Sequence, residues 1–166
     1  NRTPNGSTTF SGSTQRTIAI VTADGAINTG TGARPNTFAP FCAVTDNGRN
    51  IWQTSNGSGL KYKTENSPNT LDTTLLSTPA NYSSVYIYND ELYFTSPESP
   101  RIGKLVGGLP YKSNQTFTTL PGYPDAGSPT QLIFLDNDTS NPQPDLLYVT
   151  DYAANSLQKW VFDGTN

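Results

Sequence analysis

One four-residue phrase, aliphatic, aromatic, any residue, Thr, constrains this chain more than any other feature. It occurs as Ile51-Trp52-Gln53-Thr54, as Leu92-Tyr93-Phe94-Thr95 and as Leu147-Tyr148-Val149-Thr150. Each copy follows an apolar stretch and a polar turn: Phe41-Cys42-Ala43-Val44 before Asp46-Asn47-Gly48, Val85-Tyr86-Ile87-Tyr88 before Asn89-Asp90, and Leu132-Ile133-Phe134-Leu135 before Asp136. Each also precedes a second turn and a further short apolar run, Gly59-Leu60-Lys61-Tyr62, Arg101-Ile102-Gly103-Lys104-Leu105 and Ser156-Leu157-Gln158-Lys159-Trp160-Val161-Phe162. Short alternating runs bounded by Asn, Asp and Gly are strand and hairpin signals. The phrases recur about 40 and then about 55 residues apart, the spacing of four-stranded propeller blades. The Asp136 to Asp145 loop is an insertion that lengthens the second interval.

The expected fold is therefore all-β, built from β-propeller-type blades of four antiparallel strands. The chain supplies about three and a half blades, which suggests part of a larger propeller. Residues 1–15 read as a flexible or irregular arm, 16–40 as a partial blade, 41–83 and 84–124 as full blades, and 125–166 as a blade lacking its fourth strand. Thr73-Thr74-Leu75-Leu76 and Thr116-Phe117-Thr118-Thr119-Leu120 are the expected outer strands. Ala26-Ile27-Asn28-Thr29 is a short partner for Thr17-Ile18-Ala19-Ile20-Val21, and Gly30 to Pro40 is a loop, since Pro35 and Pro40 oppose a central strand there. No window carries a 3.6-residue apolar period, so almost no helix is expected.

Taken together, Asp46-Asn47-Gly48, Ile51-Trp52, Gly57-Ser58-Gly59-Leu60-Lys61-Tyr62, Val85 to Tyr93, Leu120-Pro121-Gly122-Tyr123-Pro124 and Leu147-Tyr148-Val149-Thr150-Asp151 resemble a group of large, uncharacterised secreted β-propeller-like proteins of bacteria and eukaryotic microbes. The likeness runs from about Arg16 onward. It implies a propeller fold, an extracellular setting and a longer chain, but no activity. A start at Asn1 without Met fits a mature or trimmed product.

Composition narrows the chemistry. The chain has no His, so it offers neither an imidazole base for a Ser or Cys nucleophile nor an imidazole ligand for zinc. Its net charge of −3 comes without a Lys/Arg cluster, which argues against nucleic acid or an anionic membrane as partner. No apolar run reaches the length of a membrane span. Cys42 stands alone and reads as a small buried hydrophobe rather than a reactive thiol.

Six Asn residues open an Asn-X-Ser/Thr sequon: Asn1, Asn5, Asn56, Asn81, Asn114 and Asn137. They are candidate glycan acceptors; the plainer reading is ordinary turn asparagines. Asp136, Asp138 and Asp145 resemble an oxygen-rich Ca²⁺ loop, although Pro142 and Pro144 stand where later ligands would be and a solvated acidic turn is the simpler account. No other cofactor is suggested. Asp24, Asp46, Asp136 and Asp151 follow strands, and some of them could gather at one rim, as paired carboxylates or metal ligands of a hydrolase. Asp at a turn also bonds its own backbone. Trp52, Tyr62, Tyr86, Tyr88, Tyr93, Tyr148 and Trp160 are expected to pack blade against blade, with Tyr123 and Tyr152 more exposed. The preferred function is a non-catalytic extracellular structural or interaction module, a glycosylated component of a surface layer or fibre that contacts other chains or itself through open blade edges. The alternatives are a carbohydrate-binding propeller and a carboxylate- or metal-dependent hydrolase.

Overall fold

A computed structural model describes residues 16–33, 40–68, 72–138, 140 and 143–162. Among these, thirteen strands and no helix are present. They form four separate antiparallel sheets in which sequence neighbours pair. A hairpin joins β1 (Arg16–Val21) and β2 (Ile27–Ala33). The first sheet holds β3 (Pro40–Thr45), β4 (Asn50–Ser55), β5 (Leu60–Thr64) and β6 (Thr73–Leu76). The second holds β7 (Ser84–Tyr88), β8 (Glu91–Thr95), β9 (Ile102–Leu105) and β10 (Phe117–Thr119). The third has β11 (Pro129–Leu135), β12 (Leu146–Asp151) and β13 (Ser156–Val161). The expected outer strands of the first two sheets are thus β6 and β10, and the third sheet lacks a fourth strand among the described residues.

Two boundaries differ from the sequence reading. Strand β2 continues through Gly30 to Ala33, because Thr31 and Ala33 are buried and Gly32 donates to the Ser67 carbonyl at 3.0 Å. Pro40 opens β3 rather than closing a loop. It is tolerated as a first residue, and the pairing register shifts between it and Cys42. The expected arm at residues 1–15 lies outside the described residues.

Pairing register explains the repeated phrase. Its aliphatic residue, Ile51, Leu92 or Leu147, is buried on the side of its sheet turned toward the preceding part of the chain, here called the front. The aromatic, one residue on, must point to the opposite side, the back. Trp52 and Tyr93 are buried there against the next sheet. Tyr148, in the third sheet, is only half-buried, because no described sheet lies behind it. In the second and third copies the closing Thr bonds across the strand pair, Thr95 to Ser84 and Thr150 to Thr130, each with hydroxyl oxygens 2.8 Å apart, whereas the buried Thr54 hydroxyl of the first copy makes no such bond.

Two apolar cores result. Between the first and second sheets, Trp52, Leu60, Leu75 and Leu76 meet Val85, Leu92, Phe94 and Leu105. Cys42 is half-buried beside them, its Sγ 3.5 Å from the Val85 carbonyl oxygen. Between the second and third, Tyr93 and Ile102 meet Leu132, Phe134, Leu147 and Val149. Tyr86, Tyr88 and Tyr93 surround Phe134, with ring centres at 6.3, 5.4 and 4.7 Å. These aromatics pack sheet on sheet, as expected.

The far end of the Phe94 ring lies over Gly103, its cross-strand partner. A Cβ at Gly103 would stand 2.4 Å from the Phe94 Cζ atom. The ring cannot tilt away, since Tyr82 and Phe117 hold it edge-on at 5.0 and 5.5 Å. Gly103→Ala is expected to cost about 1–3 kcal/mol by overpacking, and Phe94→Leu in the same chain should recover part of it. A urea-unfolding double-mutant cycle measures the coupling; additive costs would mean that the two positions do not conflict.

Candidate functional site

The expected Ca²⁺ loop connects β11 to β12. Its carboxylates are turned onto backbone amides. Asp136 Oδ1 accepts from the Asp138 amide at 3.1 Å, and Asp145 Oδ2 accepts from the amides of Asn137 and Asp138, both at 2.7 Å. Asp138 Oδ1 accepts from the Ser140 amide and hydroxyl, and these bonds hold its pKa below the usual value. This is the local bonding by which Asp shapes a turn. Among the described residues no three His, Cys, Asp or Glu side chains are grouped to hold a metal ion.

Of the four carboxylates weighed for hydrolysis, Asp151 stands apart from Asp136, so the four do not all meet at one rim. Asp136 follows β11, whose last residue Leu135 pairs with Leu146 at the start of β12; Asp151 ends β12 and pairs with Pro129 at the start of β11. Neighbouring antiparallel strands end at opposite edges, so Asp136 and Asp151 lie at opposite ends of the sheet. Asp151 is buried and organises its own turn. It accepts from the Ser128 amide through both oxygens at 3.1 Å and from the Ala154 amide at 3.0 Å. Asp24 and Asp46 are exposed in the β1–β2 and β3–β4 turns. Asp24 has a lowered pKa, chiefly through the Thr22 hydroxyl.

The sequons fall in varied settings. Asn56, Asn114 and Asn137 are exposed in turns, as expected of glycan acceptors. Asn81 is half-buried, and its side-chain Nδ2 already donates to Glu98 Oε1. Asn1 and Asn5 lie outside the described residues.

A groove of about 400 Å³ opens between the second and third sheets, near β10 and β13. Tyr93, Tyr123, Phe134 and Trp160 supply aromatic surface, with Lys104 and Thr118 at its side. Tyr123 and Trp160 are half-buried neighbours with ring centres 5.1 Å apart. Trp160, expected in the packing, packs against the core between these sheets and also borders the opening; Tyr123, expected to be more exposed, is half-buried against the same core. Tyr152, the other expected surface aromatic, is exposed in the β12–β13 turn.

The groove has an equivalent between the first two sheets, and there it is filled. Trp52 and Tyr62 pair across β4 and β5 as Tyr93 and Lys104 pair across β8 and β9. The segment between β9 and β10 closes over the first pair: Trp52 Nε1 donates to the Pro110 carbonyl at 2.7 Å, and Tyr111 stands 6.3 Å from Tyr62. No described segment covers the second pair, Tyr93 and Lys104, in that way.

At the groove wall Lys104 Nζ donates to both Glu91 oxygens, at 2.8 and 3.0 Å, and the Tyr93 hydroxyl donates to Oε2 at 2.9 Å. Burial pushes the Glu91 pKa up, but the bonds from Lys104 and Tyr93 outweigh it and the net shift is downward. The stabilisation from a lowered carboxylate pKa is complete above the unfolded value and is lost as pH falls through the folded one. Stability is therefore expected to fall as pH drops below about 4.5, and Glu91→Gln should flatten that part of the curve. Urea midpoints across the acid range measure it; parallel curves for the two proteins would rule the pair out as the cause.

The sequence reading did not single out a buried polar cluster on the front of the first sheet. Lys61 and Lys63 of β5, Gln53 of β4 and Asp72 just before β6 meet beneath β2. No local signal marks the cluster: Lys61 and Lys63 alternate as on a solvent-facing strand, and their counterparts in the second sheet are Gly103 and Leu105. Comparison with protein-family models, curated proteins and solved structures found no match to this chain, so its resemblance to secreted propeller-like proteins rests on the residues that carry it.

Proposed function

We propose that the chain is a run of β-propeller blades acting as an extracellular structural or interaction module, through protein contact rather than catalysis. The serial order of the sheets, each packed front to back on its neighbour, supports the propeller reading. The exposed sequons at Asn56, Asn114 and Asn137 fit a glycosylated surface.

One observation carries the interaction reading. On the back of the third sheet Ile133, Leu135, Leu157 and Val161 are 46, 40, 68 and 70 % exposed, beside half-buried Leu146 and Tyr148, with exposed Lys159 between Leu157 and Val161. The corresponding back sides of the first and second sheets are covered. A largely apolar exposed face, here interrupted by Lys159, marks a contact surface. The test is fluorescence of a hydrophobic dye, with Leu157→Lys as comparison. Strong binding by the parent and loss in the variant are expected; a parent that binds no dye would remove the basis for the reading.

The groove favours a second reading, carbohydrate binding, because Tyr123 and Trp160 offer ring faces beside polar Lys104 and Thr118. Oligosaccharide titration followed by tryptophan fluorescence, with Trp160→Ala as control, tests it. An unchanged spectrum across neutral and acidic glycans would count against it.

A further inference from the structure

We infer that copies of this chain associate head to tail, the back of the third sheet of one copy seated on the outward face of the β1–β2 hairpin of the next; this rests on the interaction reading above.

Every junction within the chain is of one kind, the back of one sheet against the front of the next. The hairpin joins the series in the same sense. Gly32 of β2 accepts from Lys63 and donates to the Ser67 carbonyl, and Asn28 Nδ2 donates to Glu65 at 2.7 Å, all at the front of the first sheet. The described chain therefore ends in two unlike faces: a front-type face on the hairpin and a back-type face on the third sheet. One is the partner that the other would have if the series continued.

The residues on those faces fit this arrangement. Pairing places Ile133 opposite Tyr148, and Leu135 opposite Leu146, which pairs in turn with Val161. In the second sheet, Tyr86 opposite Tyr93 and Tyr88 opposite Glu91 hold the matching places. There the three tyrosines close around one apolar side chain, Phe134 of the following sheet. On the third sheet the matching surface is built of Ile133, Leu135 and Tyr148, with Lys159 paired to Tyr148 as Lys104 is to Tyr93, and has no apolar side chain set into it among the described residues. On the hairpin, Val21 and Ile27 are directly paired and are 65 and 68 % exposed. They form an apolar ridge on an otherwise small and hydroxyl-rich face, with Thr17, Ala19 and Thr29 beside them. Because the faces differ, the contact is heterologous. Repeated through a rotation that closes it makes a ring; otherwise it makes a fibre.

The test is sedimentation of the full chain over a range of concentrations, with Leu157→Lys on the third sheet and Ile27→Lys on the hairpin. Both sites are exposed, so the fold should survive. Circular dichroism checks that, and Leu157→Thr and Ile27→Thr serve as milder variants if either lysine misfolds. The parent should form species larger than dimers as concentration rises. Each lysine should weaken association about tenfold or more, the loss expected when one apolar contact is replaced by a charge needing water. Mixed together, the two lysine variants should give dimers and nothing larger, since each retains the face that the other lacks.

A parent that stays monomeric would overturn the inference, as would a mixture that stays monomeric or a variant pair in which only one face matters. A monomeric parent that still binds the hydrophobic dye through the Leu157 face would leave the interaction reading standing while this inference fell.

Discussion

Replacing Asp72 by Ala is expected to destabilise the protein by about 3–5 kcal/mol, the cost of removing one partner from a buried ion pair. Lys63 Nζ lies 2.7 Å from Asp72 Oδ1, and the two side chains are 0 and 1 % exposed. Lys61 Nζ is 3.8 Å from Oδ2, and Gln53 Nε2 donates to the same oxygen at 3.5 Å. Lys63 and Asp72 form a close ion pair in which the ammonium is not aligned to donate a hydrogen bond to Oδ1. Without the carboxylate, two ammonium groups share a site closed to water, and the backbone carbonyl of Gly32 is left as a neutral acceptor for Lys63. For a chain of this length each kcal/mol lowers Tm by roughly 2–4 °C, so Tm should fall by about 6–20 °C. A shift of about a degree would show that the lysines reach water.

The cluster is costly only when broken. In the second sheet the positions of Gln53, Lys61 and Lys63 are held by Phe94, Gly103 and Leu105, an apolar set of similar shape. Exchanging a buried ion pair for apolar residues is commonly neutral or stabilising. Lys63→Leu combined with Asp72→Leu should therefore be more stable than Asp72→Ala alone. If the double variant costs as much as the sum of its parts, the charges contribute more than mutual neutralisation.

The strands were legible because alternation and turn residues are local signals, and β12 follows its expected bounds. What spans the chain was not. Nothing near Lys63 announces burial, since a lysine in a strand ordinarily faces water; the cover comes from Gly32, far away in sequence. Asp151 was grouped with Asp136 because both follow strands. Strand direction alternates, so a carboxylate after a first strand and one after a second belong to opposite ends, and this could have been worked out from the strand count. The groove depends on which segments close over Tyr93 and Lys104, and spacing along a chain does not report it. Tyr123 was found because a Pro-Gly turn keeps its ring near the surface.

Trp52→Ala is expected to cost about 3–5 kcal/mol, the range for removing a large buried aromatic. The ring is 1 % exposed and plugs the back of the first sheet against the second. It stands 5.7 Å from Tyr62, and its indole Nε1 donates to Pro110 at 2.7 Å across the sheet junction. Truncation would open a cavity and strand that carbonyl. Trp52→Phe separates the effects: it keeps most of the packing and removes the donor, for about 1–3 kcal/mol. Since the chain has two tryptophans, Trp52→Phe also leaves Trp160 as the sole fluorescent reporter, placed at the groove. Chemical unfolding of the three proteins should give the order parent, Trp52→Phe, Trp52→Ala. Hydrogen exchange should show the Gln115 amide, bonded to the Leu75 carbonyl at 3.0 Å, opening more often in the alanine variant. An alanine variant within about 1 kcal/mol of the parent would mean that the sheets do not depend on this junction. The contrast between covered and uncovered back faces, on which the proposed interaction rests, would then carry no weight.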